Sequence, residues 1–300
     1  MKRTWMWMVS LACVAMVQAE VTRHEGSAEA LPDQEYIHVV SEKDSPVMPT
    51  WIKAKDGLYI AAAIRKPRGA GPFPAIIMFH GAPGGRGMEQ LVGWSRGDHG
   101  GPVWERFLQE DYVVVVADYR GGDWNQMNRP STTGLVTAID DGVSVVDYVR
   151  ALPYVKKQEV SVYGVSLGGN LALFMASKVP SLHKVVLGAP APAWFLGLQV
   201  PGQQSSSDPQ ALAQHIAPVQ APILILVGTE DRLLPLDMAL HDQLVKHGKD
   251  VRLEIYEHGY HDFVLGNQGH KRDDLPRGEI LLQAALDALE LTVKFVKAPR

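Results

Sequence analysis

Cysteine is almost missing from this sequence. The single cysteine, Cys13, lies in an apolar segment close to the start of the 300 residues. A chain that has lost this segment contains no thiol and no disulfide. We therefore expect its stability to come from packing alone.

The sequence also lacks an excess of basic charge. It has 29 lysine and arginine residues against 33 aspartate and glutamate residues, which gives a net charge of −4 at pH 7. Nothing in this balance favours binding to nucleic acid or to an anionic membrane surface. Internal repeats and low-complexity tracts are missing too, and a hydrophobic content of 46% excludes the disordered and fibrous classes.

The apolar run near the start of the chain is too short to cross a membrane. It extends from Trp5 to about Val17, after the basic Met1-Lys2-Arg3, and falls short of the roughly 20 residues that span a bilayer. Val17-Gln18-Ala19 then matches a signal-peptidase site. We predict that residues 1–19 are a secretory signal peptide, that the protein is secreted or periplasmic, and that it has no stable membrane insertion.

A polar stretch precedes the predicted domain. Residues 20–34 are polar and aperiodic, which predicts a flexible leader, and residues 35–300 predict a single domain. An Asp56-Gly57 turn between strand-like segments predicts that this domain begins with an antiparallel lead-in. The segments of the lead-in are Glu35–Ser41, Thr50–Lys55 and Tyr59–Arg65.

From Pro74 onward, short continuous apolar runs alternate with longer amphipathic ones. This alternation is typical of a parallel sheet with helices on both faces. Apolar residues at helical spacing predict helices over Leu135–Leu152, between Pro235 and Gly248, and from Leu282 to Val296. We predict an α/β fold with a doubly wound, mostly parallel sheet of about eight strands. Its buried strands are Ala75–Phe79, Tyr112–Ala117, Val160–Val165, Lys184–Leu187, Ile223–Val227 and Val251–Tyr256.

A Gly-x-Ser-x-Gly sequence stands between a predicted strand and a helical stretch. It consists of Gly164-Val165-Ser166-Leu167-Gly168. A sharp strand-to-helix turn presents a serine hydroxyl to a base, while the next backbone N–H faces the developing oxyanion. Alone, the pattern is weak and is usually a Gly/Ser loop. In this context it predicts Ser166 as a nucleophile and the Leu167 N–H as an oxyanion donor.

The loop after the strand Ile223–Val227 offers an acid that could orient a base. Asp231 is the predicted residue, because loops at the carboxyl ends of strands build the sites of open α/β sheets. A helix cap is the alternative interpretation of Asp231. Glu230 is the neighbouring alternative for the acid.

The loop after the strand Val251–Tyr256 offers the base. His261 is the predicted residue, because it precedes Phe263, an aromatic side chain that can pack down and hold the loop. His258 is the alternative. A metal site formed by His258 and His261 would lack a convincing third ligand, so we expect no metal.

A glycine-rich loop follows the strand Ala75–Phe79. Gly81 lets the backbone turn, and the Ala82 N–H is the predicted second oxyanion donor. We interpret His80 as a buried residue that braces this loop. A phosphate cradle is the competing interpretation, but the run matches neither Gly-x-Gly-x-x-Gly nor a Walker motif, and we predict no helix directly after it. We therefore expect no cofactor. The glycines of that cradle would be Gly81, Gly84, Gly85 and Gly87.

Taken in order, these motifs resemble those of the α/β-hydrolases, nearest to the dienelactone-hydrolase and prolyl-oligopeptidase-like branches. The resemblance extends from Thr50 to about Lys297 and includes Asp118-Tyr119-Arg120-Gly121. It implies an α/β-hydrolase fold in which Ser166, Asp231 and His261 form a triad. The chain departs from these relatives in two ways. Dienelactone hydrolases proper have cysteine in place of Ser166, and the oligopeptidases have an oxyanion-donating tyrosine where this chain has Gly84 and Gly85.

The predicted function is hydrolysis of a small-molecule carboxylic ester through an acyl-enzyme intermediate. A serine peptidase or amidase is the second interpretation, disfavoured because residues 20–65 supply no clamp for a substrate amine. A non-catalytic binding protein on a hydrolase fold is the third. The sequence leaves the natural acyl and alcohol groups and the oligomeric state open. Aromatic residues predicted to contact the substrate are Trp94, Trp124, Trp194 and Tyr260.

Overall fold

The fold is described from a computed structural model of the chain. The structure describes residues 19–25, 40–96, 101–121, 132–193, 195–196, 209–265 and 275–300. Within these ranges, no helix is long and apolar enough to cross a bilayer.

One mixed sheet of nine strands forms the centre of the described chain, in the order β1-β9-β8-β7-β6-β4-β5-β3-β2. All its neighbouring pairs are parallel except β2 with β3 and β3 with β5, which are antiparallel. The predicted mostly parallel sheet with an antiparallel lead-in is therefore confirmed. The strands are β1 Ala19–His24, β2 Met48–Lys53, β3 Tyr59–Arg65, β4 Phe73–Phe79, β5 Val113–Ala117, β6 Val155–Val165, β7 Val185–Gly188, β8 Ile223–Gly228 and β9 Val251–Tyr256.

The ninth strand corrects two expectations, the strand count and the start of the flexible leader. Residues Ala19–His24 form β1, which pairs with β9 at one edge of the sheet. His24 stacks on Tyr256 with ring centroids 4.3 Å apart, and its Nε2 lies 2.6 Å from a carboxylate oxygen of Glu254. Because β1 is polar and mostly exposed, it has none of the apolar alternation by which strands are recognised in a sequence. The later part of the predicted leader, residues 26–34, lies outside the described residues.

Besides one short 3-10 helix, Phe263–Leu265, seven α-helices lie in the described part of the chain. Their apolar stripes follow the 3.6-residue period that predicted the third, sixth and seventh of them. The predicted strand Glu35–Ser41 falls outside the described residues except for its last two, which are not in a strand. The helices are α1 Met88–Ser95, α2 Gly101–Gln109, α3 Thr132–Ala151, α4 Leu167–Lys178, α5 Pro209–Ile216, α6 Leu234–Lys246 and α7 Leu275–Lys297.

The helices cover the sheet on both faces, as a doubly wound fold requires. Alternate residues of each strand face opposite sides, so Ile77 of β4 belongs to one hydrophobic cluster while Ile76 and Met78 belong to the other. Side chains of α3, α4, α5 and α6 pack into the first cluster, and those of α1, α2 and α7 pack into the second. The polar residues that follow β4, β5, β6, β8 and β9 therefore meet at one end of the sheet, where the parallel strands end.

Candidate active site

Ser166 occupies a sharp turn between β6 and α4. Its backbone has φ 54° and ψ −118°, outside the regions that L-residues prefer. The turn is held by its neighbours, since the Ser166 N–H donates to Gly188 and its carbonyl oxygen accepts from Asn170 and Ala191. The helix begins at the next residue, Leu167, so the serine stands at the N-terminal end of α4.

The glycines around this serine are required by close backbone contacts. A Cβ at Gly164 would lie 2.1 Å from the carbonyl oxygen of Gly168, and a Cβ at Gly168 would lie 2.1 Å from that of Phe79. Any side chain at either position would push the strand and the helix apart. The Gly-x-Ser-x-Gly sequence thus allows the first turn of α4 to pack directly on β6 and β4.

His261 and Asp231 complete a chain of hydrogen bonds that starts at Ser166. The Oγ atom of Ser166 is 2.8 Å from Nε2 of His261, and Nδ1 of His261 is 2.8 Å from Oδ2 of Asp231. The Asp231 side chain is fully buried, whereas the His261 side chain is 40% exposed. Asp231 also accepts the N–H of Leu233. The structure therefore brings together the three side chains that the sequence predicted for a nucleophile, a base and its orienting acid.

The loops that carry Asp231 and His261 are bound to each other. The N–H of Thr229 donates to Tyr256, and that of Glu230 donates to Gly259, each at 2.9 Å. Phe263, two residues after His261, is buried, as expected of an aromatic side chain that packs down and holds this loop. The two sequence alternatives, His258 and Glu230, lie beside the site, where Nδ1 of His258 is 3.5 Å from a carboxylate oxygen of Glu230.

The predicted oxyanion residues flank Ser166. Leu167 follows it directly at the start of α4, and the loop after β4 passes over it: a Cβ at Gly81 would lie 3.4 Å from that of Ser166. Ala82 follows in the same loop and packs against the first hydrophobic cluster. Leu167 is therefore close to the serine in sequence, and Ala82 belongs to a loop that is close to it in space.

The glycine-rich loop after β4 is tied to Asp118 at the end of β5. The N–H groups of Gly85 and Gly87 donate to this carboxylate at 2.9 Å each, and Nε2 of His80 lies 3.1 Å from it. A helix does begin at Met88, contrary to our expectation that none follows the loop directly. The loop amides bind Asp118, however, which argues against a phosphate cradle on grounds that the sequence did not reveal.

The aromatic residues predicted to contact a substrate have different positions. Trp94 is buried in α1, where its ring meets His80 edge-on and lies 5.7 Å from the Arg86 guanidinium. Tyr260 is partly buried and packs against the second hydrophobic cluster. Trp124 and Trp194 lie outside the described residues.

Two features near the site were not predicted. His80 and Asp118 form a pair because Phe79 and Ala117 are neighbours in the β4–β5 register, a fact that depends on strand order. Asp237 of α6 is fully buried, and neither of its carboxylate oxygens has a hydrogen-bond partner among the described residues. Burial and the nearby charge of Asp231 raise the pKa of Asp237 well above its ordinary range.

Among the described residues, no three side chains are grouped so that they could hold a metal ion. His258 and His261 belong to no such group.

Comparison with known proteins adds a family and a fold. A family model described as the dienelactone hydrolase family matches residues 60–298. Among solved structures, an esterase of Pyrobaculum calidifontis superposes with a TM-score of 0.57 at 21% identity, covering 84% of this chain and 85% of the esterase. A dienelactone hydrolase of Anabaena variabilis superposes with a TM-score of 0.55 at 17% identity, covering 82% and 96% of the two chains.

A peptidase has the same fold. The acylaminoacyl peptidase of Pyrococcus horikoshii superposes with a TM-score of 0.60 at 18% identity, covering 85% of this chain but 42% of the peptidase. At these identities the structural likeness shows the α/β-hydrolase fold and no more.

Proposed function

The chain belongs to the dienelactone hydrolase family, and we propose that it is a serine hydrolase that cleaves carboxylic esters through an acyl-enzyme intermediate. The observation that carries the proposal is the pair of 2.8 Å contacts that join Ser166, His261 and Asp231. Hydroxyl, imidazole and carboxylate in this order are the arrangement that activates a serine.

In the proposed mechanism, Nε2 of His261 accepts the Ser166 proton as Oγ attacks the ester carbonyl carbon. Asp231 keeps the hydrogen on Nδ1 and stabilises the imidazolium. The N–H groups of Leu167 and Ala82 donate to the oxyanion of the tetrahedral intermediate, and mutagenesis of other serine hydrolases puts each such donor at about 3–4 kcal/mol. His261 then gives its proton to the departing alcohol. Water attacks the acyl-serine by the same steps and releases the acid.

The chemistry of the leaving group favours an ester over a peptide substrate. An alkoxide leaves a tetrahedral intermediate far more readily than an amide anion does, so cleavage of an ester depends less on exact protonation of the leaving group. Peptide hydrolysis remains the second candidate, because the peptidase shares the fold.

Labelling with a fluorophosphonate probe and a matched substrate panel test this proposal. We expect the wild type to react with the probe and Ser166→Ala not to react, while Ser177→Ala, a change near the other end of α4, reacts as the wild type does. Acyl p-nitrophenyl esters should turn over faster than the corresponding aminoacyl anilides. Faster anilide turnover would reassign the enzyme to the peptidases, and an unlabelled wild type would indicate a binding protein.

We also propose that residues 1–19 are a cleaved signal peptide and that the enzyme is secreted or periplasmic. Support comes from the basic start, the short apolar run and the Val17-Gln18-Ala19 site. Cleavage after Ala19 would leave five of the six residues of β1 in the mature chain. N-terminal sequencing of the protein recovered outside the cytoplasm should begin at Glu20, and an intact Met1 would contradict the proposal.

A further inference from the structure

His80 begins the loop that carries Ala82, and both nitrogens of its ring contact acceptor oxygens. Nδ1 is 2.7 Å from the carbonyl oxygen of Gly81, and Nε2 is 3.1 Å from Oδ1 of Asp118. Because a carbonyl oxygen only accepts hydrogen bonds, Nδ1 must be the donor in the first contact. The buried ring stacks on Tyr119 with centroids 4.8 Å apart. It is therefore held in one orientation, with the hydrogen on Nδ1 directed at Gly81.

The Gly81 carbonyl and the Ala82 N–H are the two ends of one peptide unit. A peptide unit is planar, so a bond that fixes its carbonyl also fixes the direction of its N–H. A hydrogen bond accepted by the carbonyl also polarises the amide and makes its N–H a stronger donor. On the basis of the proposed function, in which Ala82 donates to the oxyanion, we propose that Asp118 and His80 are a positioning pair that orients and polarises this peptide.

The Asp118 carboxylate is suited to hold His80 in this role. Burial would raise the pKa of Asp118, but hydrogen bonds from His80 and from the Gly87 N–H outweigh burial and hold the pKa below its ordinary value. The carboxylate is therefore charged at neutral pH. Because acceptor oxygens face both ring nitrogens, each nitrogen carries a hydrogen, and His80 bridges Asp118 to the Gly81 carbonyl. It also accepts the N–H of Gly85, so one side chain anchors both the histidine and the far end of the loop.

Tyr119, which follows β5, provides a matched control because it contacts the same loop. Its hydroxyl donates to the carbonyl oxygen of His80 at 2.9 Å, one peptide before the Gly81–Ala82 unit. Tyr119→Phe removes one buried hydrogen bond from the loop without touching the peptide that carries the Ala82 N–H. A loop that matters only through its stability should respond alike to changes at Tyr119 and at His80.

Two substitutions of His80 separate its two hydrogen bonds. In His80→Asn, the side-chain amide nitrogen replaces Nδ1 and can still donate to Gly81. In His80→Gln, the amide nitrogen replaces Nε2 and can still reach Asp118, but the donor to Gly81 is lost. We expect His80→Gln to lower kcat by about 10- to 100-fold with KM within about twofold, a part of the loss caused by deleting an oxyanion donor. His80→Asn and Tyr119→Phe should stay within about threefold of the wild-type kcat.

Binding of a trifluoromethyl ketone supplies a second readout. The ketone forms a tetrahedral adduct with the serine and places its oxyanion where the intermediate's would lie, so its affinity should weaken in parallel with kcat/KM across the three variants. Thermal unfolding of each variant reports loop stability separately. A structural role would move Tm but would not give His80→Gln and His80→Asn different affinities for the ketone.

The outcomes discriminate between the inference and the proposed function. Equal kinetics for His80→Gln and His80→Asn, or a larger loss in His80→Asn, would overturn the positioning role while the wild type still hydrolyses esters. A wild type that neither hydrolyses esters nor reacts with a fluorophosphonate would overturn the proposed function instead. If His80→Gln does not fold, Asp118→Asn replaces it, because this change weakens the anchors of both the His80 ring and the Gly85 end of the loop and should lower kcat about tenfold with KM unchanged. An unchanged kcat in that variant would overturn the positioning role.

Discussion

Two aspartate–histidine pairs lie near Ser166. In each pair one ring nitrogen of the histidine contacts the aspartate, and the pairs differ in what the other ring nitrogen contacts. His261 has Asp231 at 2.8 Å on one nitrogen and the Ser166 hydroxyl at 2.8 Å on the other. His80 has Asp118 at 3.1 Å on one nitrogen and a peptide carbonyl at 2.7 Å on the other. A hydroxyl can give up its proton, whereas a carbonyl can only accept a hydrogen bond.

Exposure separates the pairs further. The side chain of His261 is 40% exposed, whereas that of His80 is 4% exposed. An open histidine beside a hydroxyl can pass a proton to a leaving group and return to its starting state. A histidine that is buried between a carboxylate and a carbonyl has no hydroxyl to deprotonate and is shielded from solvent. On the proposed roles, the same two residue types therefore supply proton transfer in one place and fix the orientation of a peptide in the other.

The largest expected effect comes from the open pair. His261→Ala should lower kcat on a p-nitrophenyl ester by about 10⁴-fold or more, because Ser166 loses its base. His258→Ala, three residues earlier and 54% exposed, is the matched control and should stay within about threefold. Circular dichroism and Tm should match the wild type in both. A large loss in His258→Ala with activity kept in His261→Ala would exchange the roles of the two histidines.

The second prediction compares the two aspartates. Asp231→Asn should lower kcat by about 10⁴-fold because the amide favours the wrong histidine tautomer. Asp118→Asn should lower kcat only about tenfold but reduce the free energy of unfolding by about 2–3 kcal/mol. Four N–H groups donate to the Asp118 carboxylate. In Asp118→Asn, the new amide nitrogen would face one of these donors instead of accepting its hydrogen bond. The donors belong to His80, Gly85, Gly87 and Tyr119. Steady-state kinetics measure kcat, and urea denaturation measures the free energy of unfolding. Equal losses of kcat and of stability in the two variants would contradict the different roles of the two aspartates.

The third prediction concerns Asp237, a buried aspartate whose carboxylate has no hydrogen-bond partner among the described residues. Because the folded-state pKa of Asp237 is raised above 3.8, its contribution to stability is most favourable below that pH and is lost as pH rises through the folded-state pKa. Asp237→Asn should therefore be more stable than the wild type at pH 8, by about 1–3 kcal/mol, with a smaller gain near pH 4. Urea denaturation at the two pH values measures this difference.

Asp242→Asn is the control for Asp237→Asn, because Asp242 lies on the same helix with its side chain 78% exposed. This variant should differ little from the wild type at either pH. A destabilised Asp237→Asn at pH 8 would show that the carboxylate has a stabilising partner and would contradict the interpretation of its burial.

The smallest effect is expected for the exposed pair of His258 and Glu230. The two side chains lie 3.5 Å apart with exposures of 54% and 35%. Solvent screens such pairs, so a double-mutant cycle with His258→Gln and Glu230→Gln should give a coupling energy below about 0.5 kcal/mol. A coupling above about 1.5 kcal/mol would place this pair with the two aspartate–histidine pairs.

The sequence predicted much of the site because its residues follow strong local patterns. Ser166 lies in a motif bounded by a strand and a helix, and Asp231 and His261 follow apolar runs long enough to identify as strands. Six parallel strands were located because they are continuous apolar runs, a pattern typical of strands covered on both faces.

What escaped the sequence depends on neighbours distant in the chain. The pairing of His80 with Asp118 requires β4 and β5 to be adjacent and in register, which no local pattern encodes. Asp237 lies in the first turn of α6, ahead of the buried Leu240 and Leu244, and its burial depends on how α6 packs on the sheet. β1 is a polar edge strand, so only its partner β9 identifies it.

The position of β1 also restricts the order in which the sheet can be completed. Among the described strands it is the first in the sequence, and it pairs with β9, the last of them, so that His24 and Glu254 touch although they are 230 positions apart. Contacts between residues so distant in sequence form late, because the intervening chain must first become compact. β1 must therefore wait unpaired until β9 has been synthesised and has docked. Addition of this strand is an end point of folding, and a partly made chain cannot reach it.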